Sequence, residues 1–154
     1  MDYGLILALI GAITATLLSG IGSALGVGIT ARAAAGVLSE KPNLFGKLLI
    51  LLAIPTTNGI YGFLISILIM VQSGMLGGDV SALTTNDGFR YFIASIPIGI
   101  VGLIAGVAQA KAAASAIYMS GKRPELSARG IVMSSMIETY PILALLISVL
   151  IIFA

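Results

Sequence analysis

The chain has 154 residues, 58% of them hydrophobic and only 9% charged, with 19 glycines, a net charge of +2 and a mean hydropathy of +1.13. That balance excludes a soluble globular domain and makes the bilayer the solvent. With no cysteine and no histidine, thiol chemistry, zinc-type sites and imidazole catalysis are excluded, and without a G-x-x-x-x-G-K-[ST] loop so is nucleotide hydrolysis in this chain.

Four apolar segments, about 3–36, 46–73, 88–118 and 127–153, are long enough to cross roughly 30 Å of hydrocarbon at about 1.5 Å per residue. The start, Met1-Asp-Tyr-Gly, lacks the basic region of a secretory signal, so the first segment is expected to stay in the mature protein. That segment is dense in small residues, with Gly22 and Gly26 forming a G-x-x-x-G and Ala33-Ala-Ala-Gly36 following. The third repeats the theme with Gly99, Gly102, Gly106 and Ala110-Lys-Ala-Ala-Ala-Ser115, and such faces let helix backbones approach closely. Tyr3 and Tyr91 read as interface anchors, and Arg32 and Lys111 as side chains snorkelling to the cytoplasmic interface.

The recurrence is an internal repeat. A shift of 79 residues pairs Gly20-Ile21 with Gly99-Ile100 and Ala31–Ala35 with Ala110–Ala114. A shift of 82 pairs Pro42 with Pro124, Thr57 with Thr139 and Leu64–Ile69 with Leu146–Ile151. The expected architecture is an all-α membrane protein, four transmembrane helices made by tandem duplication of a helical hairpin, with three extra residues in the second hairpin's loop. Residues 1–73 form the first hairpin, 74–87 an extracellular connection and 88–154 the second hairpin. Both hairpin loops are basic, with Lys41 and Lys47 in one and Lys122, Arg123 and Arg129 in the other. The middle connection carries Asp79 and Asp87, and Asp2 lies on its side. Basic loops stay cytoplasmic, so both termini face out and the repeat is parallel.

Glu138 is the only formally charged side chain between Arg129 and the C-terminus. An ionised carboxylate at mid-bilayer costs roughly 2.5–3.5 kcal/mol on insertion scales, so it needs a partner: a proton, a metal ion or a basic side chain. Its counterpart in the first hairpin is Thr56. Around it, the second segment offers Thr56, Thr57, Asn58 and Tyr61, the third Gln109, and the fourth Ser134, Ser135, Thr139 and Tyr140. Pro55 and Pro141 deprive the carbonyls of Leu51 and Ile137 of their usual donors and could turn them toward a cation. A hard monovalent cation wants neutral oxygens and one negative charge, and this constellation supplies both. Ser66, Ser134, Ser135 and Ser148 read as interhelical hydrogen-bond glue.

The doubled hairpin, the Gly-rich first and third helices, Ile60-Tyr61-Gly62-Phe63 and Met136-Ile-Glu138-Thr-Tyr140 resemble, over essentially the whole chain, the membrane-rotor proteolipid of V-type ATPases. Within that family the chain is most similar to the K subunit of bacterial sodium-translocating enzymes. The resemblance implies an oligomeric ring of identical subunits in the cell membrane. A central-stalk subunit of the ATPase turns the ring past a stator subunit bearing an arginine, and each copy ferries one ion without catalytic chemistry of its own. It also implies a Na⁺ site: the carboxylate falls on Glu138, the threonine on Thr57, the helix-three glutamine on Gln109, the tyrosine on Tyr61 and the carbonyl before the helix-two proline on Ile54. Where the sodium enzymes have glutamine after the threonine, this chain has Asn58, one methylene shorter; proton carriers typically have apolar residues there, so the polar pair favours sodium. The alternatives are the same rotor carrying H⁺, a stand-alone channel or carrier, and a purely structural oligomer.

Overall fold

The computed structural model describes residues 3–154; Asp2, expected on the outer side, lies outside the described residues. Four helical spans, Tyr3–Glu40, Pro42–Gln72, Thr85–Lys122 and Pro124–Phe153, are each long and apolar enough to cross a membrane. The chain is a multi-pass membrane protein of the all-α class, built as a doubled hairpin.

The first and third spans are uninterrupted helices of 38 residues each, and Pro97 does not break the third. That span begins with a reciprocal cap in which Thr84 and Asp87 each accept from the other's backbone N–H at 3.2 Å. The second and fourth are segmented in the same way. Each starts with a proline-led 3₁₀ turn, Pro42–Leu44 or Pro124–Leu126, continues as a helix, Phe45–Ala53 or Ser127–Ser135, and is broken mid-span by a second 3₁₀ turn, Ile54–Thr56 or Met136–Glu138. Every one of these boundaries repeats at a shift of 82, and a single residue, Lys41 or Arg123, separates helix end from proline turn in both hairpins. The second loop therefore has no three-residue insertion. Three residues are close to one helical turn, so a face of small residues nearly overlays itself at 79 as well as at 82.

The first and third spans run parallel: Gly4 lies against Thr84 and Gly88, Gly11 against Phe92, and Gly26 against Gly106. A Cβ on Gly22 would stand 2.5 Å from Leu103 Cα and 2.7 Å from the Gly102 carbonyl oxygen, and one on Gly106 would stand 2.7 Å from the Gly22 carbonyl. Backbone packs on backbone, which only glycine permits. The Ser19 hydroxyl closes the same seam by donating to the Ile98 carbonyl at 3.0 Å.

Two apolar clusters form around this pair. One gathers Ala8, Ala12, Ala15, Ile65, Ile69, Tyr91 and Ile98; the other Ala33, Leu44, Leu48, Leu51, Ala113 and Ile117. Tyr91 is thus a core residue, 4% exposed, with its hydroxyl donating to the Gln72 carbonyl at 3.3 Å, and is not the interfacial anchor its aromatic character predicts. Tyr3 is well exposed. Between the clusters in sequence lie the buried polar residues Ser23, Asn58, Gln109 and Ser134.

Candidate functional site

Proline at 55 cannot donate a backbone N–H, and the second span answers with the 3₁₀ turn at Ile54–Thr56. The carbonyls loosened there are met mainly from the first span. Ser23 Oγ donates to the Pro55 carbonyl at 2.6 Å, and Thr30 Oγ1 to the Leu52 carbonyl at 3.3 Å. Ile54 O already accepts the Thr57 backbone N–H and, at 3.0 Å, the Thr57 hydroxyl. In the fourth span, the Ile137 carbonyl accepts the Thr139 N–H. The loosened carbonyls are largely occupied by protein donors.

The same turn in the fourth span carries Glu138 as its last residue, as Thr56 is the last residue of the turn in the second. Thr56 is exposed and returns its hydroxyl to the Ala53 carbonyl at 2.7 Å. Glu138 is half-buried, between exposed Met136 and Tyr140 on one side and the third span on the other.

Two donors hold the carboxylate. Tyr61 Oη donates to Oε1 at 2.8 Å and Gln109 Nε2 to Oε2 at 2.5 Å. Behind Gln109, Asn58 Nδ2 donates to its Oε1 at 2.8 Å, and both amide residues are 0% exposed. Ser134 Oγ donates to the Gln109 backbone carbonyl at 3.3 Å, tying the third span to the fourth one turn before Glu138. Asn58 Oδ1 is buried and has no hydrogen-bond partner.

Of the predicted site residues, the structure links Glu138, Tyr61, Gln109 and Asn58 in one chain of hydrogen bonds. Thr57 and Ile54 bond each other and make no hydrogen bond to Glu138. Asn58 reaches Gln109 and stops there. Ser135 and Thr139 point outward, whereas Ser134 serves as interhelical glue, as its hydroxyl character predicts. Ser66 does the same, meeting Thr16 at 2.5 Å and also donating to the Ala12 carbonyl, but the buried Ser148 hydroxyl has no partner. Arg32 and Lys111 are exposed, and the Arg32 Nε turns back to the Gly28 carbonyl at 3.1 Å. Among the described residues no basic side chain pairs with Glu138 and no cluster of three acidic groups exists. A single carboxylate with neutral oxygens around it suits a monovalent cation or a proton better than a multivalent metal.

Sequence reasoning missed Ser23 and Thr30. Their signal was present: hydroxyls on the small-residue face of the first helix, where a proline in the partner helix leaves acceptors open.

The family model for the C-type subunit of ATP synthase matches the chain twice, over residues 10–69 and 92–151, once per hairpin. The V-type sodium ATPase subunit K of Enterococcus hirae is 43% identical, the alignment covering 99% of this chain and 97% of that protein. The A-type ATP synthase subunit K of Methanocaldococcus jannaschii is 35% identical over 95% of this chain and 61% of its own length. Two matched hairpins at one register, with the carboxylate in the second alone, make this chain a member of the ATP synthase C-type proteolipid family.

Proposed function

We propose that the chain is a rotor-ring subunit of a V-type ATPase that carries Na⁺ across the membrane, one ion per copy, on Glu138. The observation that supports this reading most is the half-buried carboxylate held by Tyr61 and Gln109 at a mid-span break with no basic partner in the chain. An ion on Glu138 neutralises the site, and the loaded protomer is then able to face lipid as the ring turns. An empty, charged site cannot. Glu138 supplies the charge, and neutral oxygens come from Gln109, Thr57 Oγ1, the Ile54 carbonyl and Tyr61. A hydroxyl that donates, as Thr57 does to Ile54, keeps its lone pairs for a cation.

At the stator, an arginine offered to the emptied carboxylate displaces the ion into an aqueous path. A central stalk driven by ATP hydrolysis elsewhere in the complex turns the ring, and moving one elementary charge against 100 mV costs about 2.3 kcal/mol. Both hairpin turns face the cytoplasm and both termini face out. The sodium reading is supported by the E. hirae relative and by Asn58, a polar residue where an apolar one would suit a proton carrier.

The test is competition. Na⁺ should slow labelling of Glu138 by a hydrophobic carbodiimide, and the protection should strengthen as pH rises, because proton and cation contend for one carboxylate. Li⁺ should protect partially and K⁺ poorly, being too large for so few ligands. Labelling indifferent to Na⁺ from pH 6 to 9 would move the reading to a proton-carrying rotor.

A further inference from the structure

The Asn58–Gln109–Glu138 chain holds a constraint on how the site can load. A primary amide has a donor end and an acceptor end, and the two point in opposite senses. Gln109 therefore shows Glu138 one end and Asn58 the other. A bare carboxylate only accepts, so it takes the Gln109 N–H, as found at 2.5 Å, and leaves Oε1 for the Asn58 N–H at 2.8 Å.

A cation on Glu138 reverses the demand, because it needs oxygen and repels N–H. Gln109 then has to present Oε1 forward, which sends its NH₂ back toward Asn58. Two NH₂ groups cannot bond each other, so Asn58 has to reverse too and accept through Oδ1, the atom now buried without a partner. Both side chains are wholly buried, and water cannot take over either role.

We propose, resting on the cation-carrying reading above, that Asn58 and Gln109 form a reversible amide pair that turns end for end as Glu138 loads, with Asn58 a positioning residue and not an ion ligand. Asn58 suits this because it offers either a donor or an acceptor and so keeps its bond to Gln109 in both states. Its removal weighs more on the loaded state. There the orphan is a buried N–H, whereas in the empty state it is a carbonyl, which tolerates lost partners better.

The experiment measures the Na⁺ concentration that halves carbodiimide labelling of Glu138 in the assembled membrane complex, for the unaltered chain, Asn58→Leu, Asn58→Ser, Gln109→Ala and the Asn58→Leu/Gln109→Ala pair. Asn58→Leu, close in volume but unable to bond, should raise that concentration roughly three- to tenfold, the scale of one lost buried hydrogen bond. Asn58→Ser, smaller but able to donate or accept, should lie nearer the unaltered chain; a space-filling role would rank the two the other way and overturn the proposal. In the Gln109→Ala background Asn58→Leu should add nothing further. Effects that multiply would make Asn58 an independent ligand and overturn the amide pair alone, as would a normal half-protecting concentration in Asn58→Leu. Absence of Na⁺ protection in the unaltered chain overturns the sodium reading and this inference with it. If Asn58→Leu fails to assemble, the same comparison made with Asn58→Ser and its double variant decides by the same criterion of additivity.

Discussion

Tyr61 and Glu138, on the second and fourth spans, share a hydrogen bond of 2.8 Å from the phenol to carboxylate Oε1, the only side-chain tie from the second span directly to the carboxylate among the described residues. Tyr61→Phe keeps the ring and removes this donor to the ionised form. Carbodiimide labelling at neutral pH should become several-fold faster, because the reagent needs the protonated acid and a charge-assisted bond contributes about 1.5–3 kcal/mol. An unchanged rate would show that the phenol bond does not hold the carboxylate.

Glu138→Gln should abolish transport while the protein still inserts and assembles. The amide matches the acid in shape but cannot exchange an ion. Ion flux in reconstituted vesicles, beside the amount of assembled complex, checks both halves.

Labelling should be confined to Glu138. Asp79 lies in the connection after the second span, fully exposed, where bonding to Ser81, including the Ser81 N–H to Oδ1 at 2.8 Å, holds its carboxyl below the usual range. It stays ionised at neutral pH and outside an apolar setting, both unfavourable to the reagent. Peptide mapping after labelling at pH 7 should find modified Glu138 and unmodified Asp79 and Glu125.

The spans, the doubled hairpin and the carboxylate were legible because each is a departure from a simple background: apolar runs of the right length, or a polar atom where lipid allows none. Gln109 and Tyr61 stood out for the same reason. What the sequence concealed were relationships between helices. Ser23 donates to a carbonyl 32 residues away, and no periodicity marks that pairing. Asn58 reads as an ion ligand by its neighbour Thr57, yet its amide meets Gln109, because helix rotation decides what a side chain reaches. Tyr91 reads as an anchor, but the small residues of the first span leave room to bury its ring.

Ser23→Ala should leave the Pro55 carbonyl without its donor, a loss of about 1–3 kcal/mol at a buried site. The ring should dissociate in detergent at lower temperature. Thr56→Ala, which removes only an exposed bond within its own turn, should leave that temperature nearly unchanged.

Gly22→Val should prevent assembly, since its first added carbon would meet backbone of the third span at 2.5–2.7 Å, and backbone cannot swing aside. Gly20→Ala has no atom within 4 Å of the new carbon and should assemble normally. Yield of intact ring from membranes distinguishes the pair.

The two unbroken helices and the two interrupted ones divide the protein mechanically. At about 1.5 Å per residue, each unbroken helix is a strut of roughly 57 Å, bolted to its twin along a seam with no side chains to yield. The other pair is jointed at matching heights, at Ile54–Thr56 and Met136–Glu138, where 3₁₀ geometry replaces regular helix. Under torque from a turning shaft, the struts transmit load and the joints deform first. Elastic compliance is thereby concentrated at the height of the carboxylate, so a twist applied at one end of the bundle is felt soonest where the ion sits.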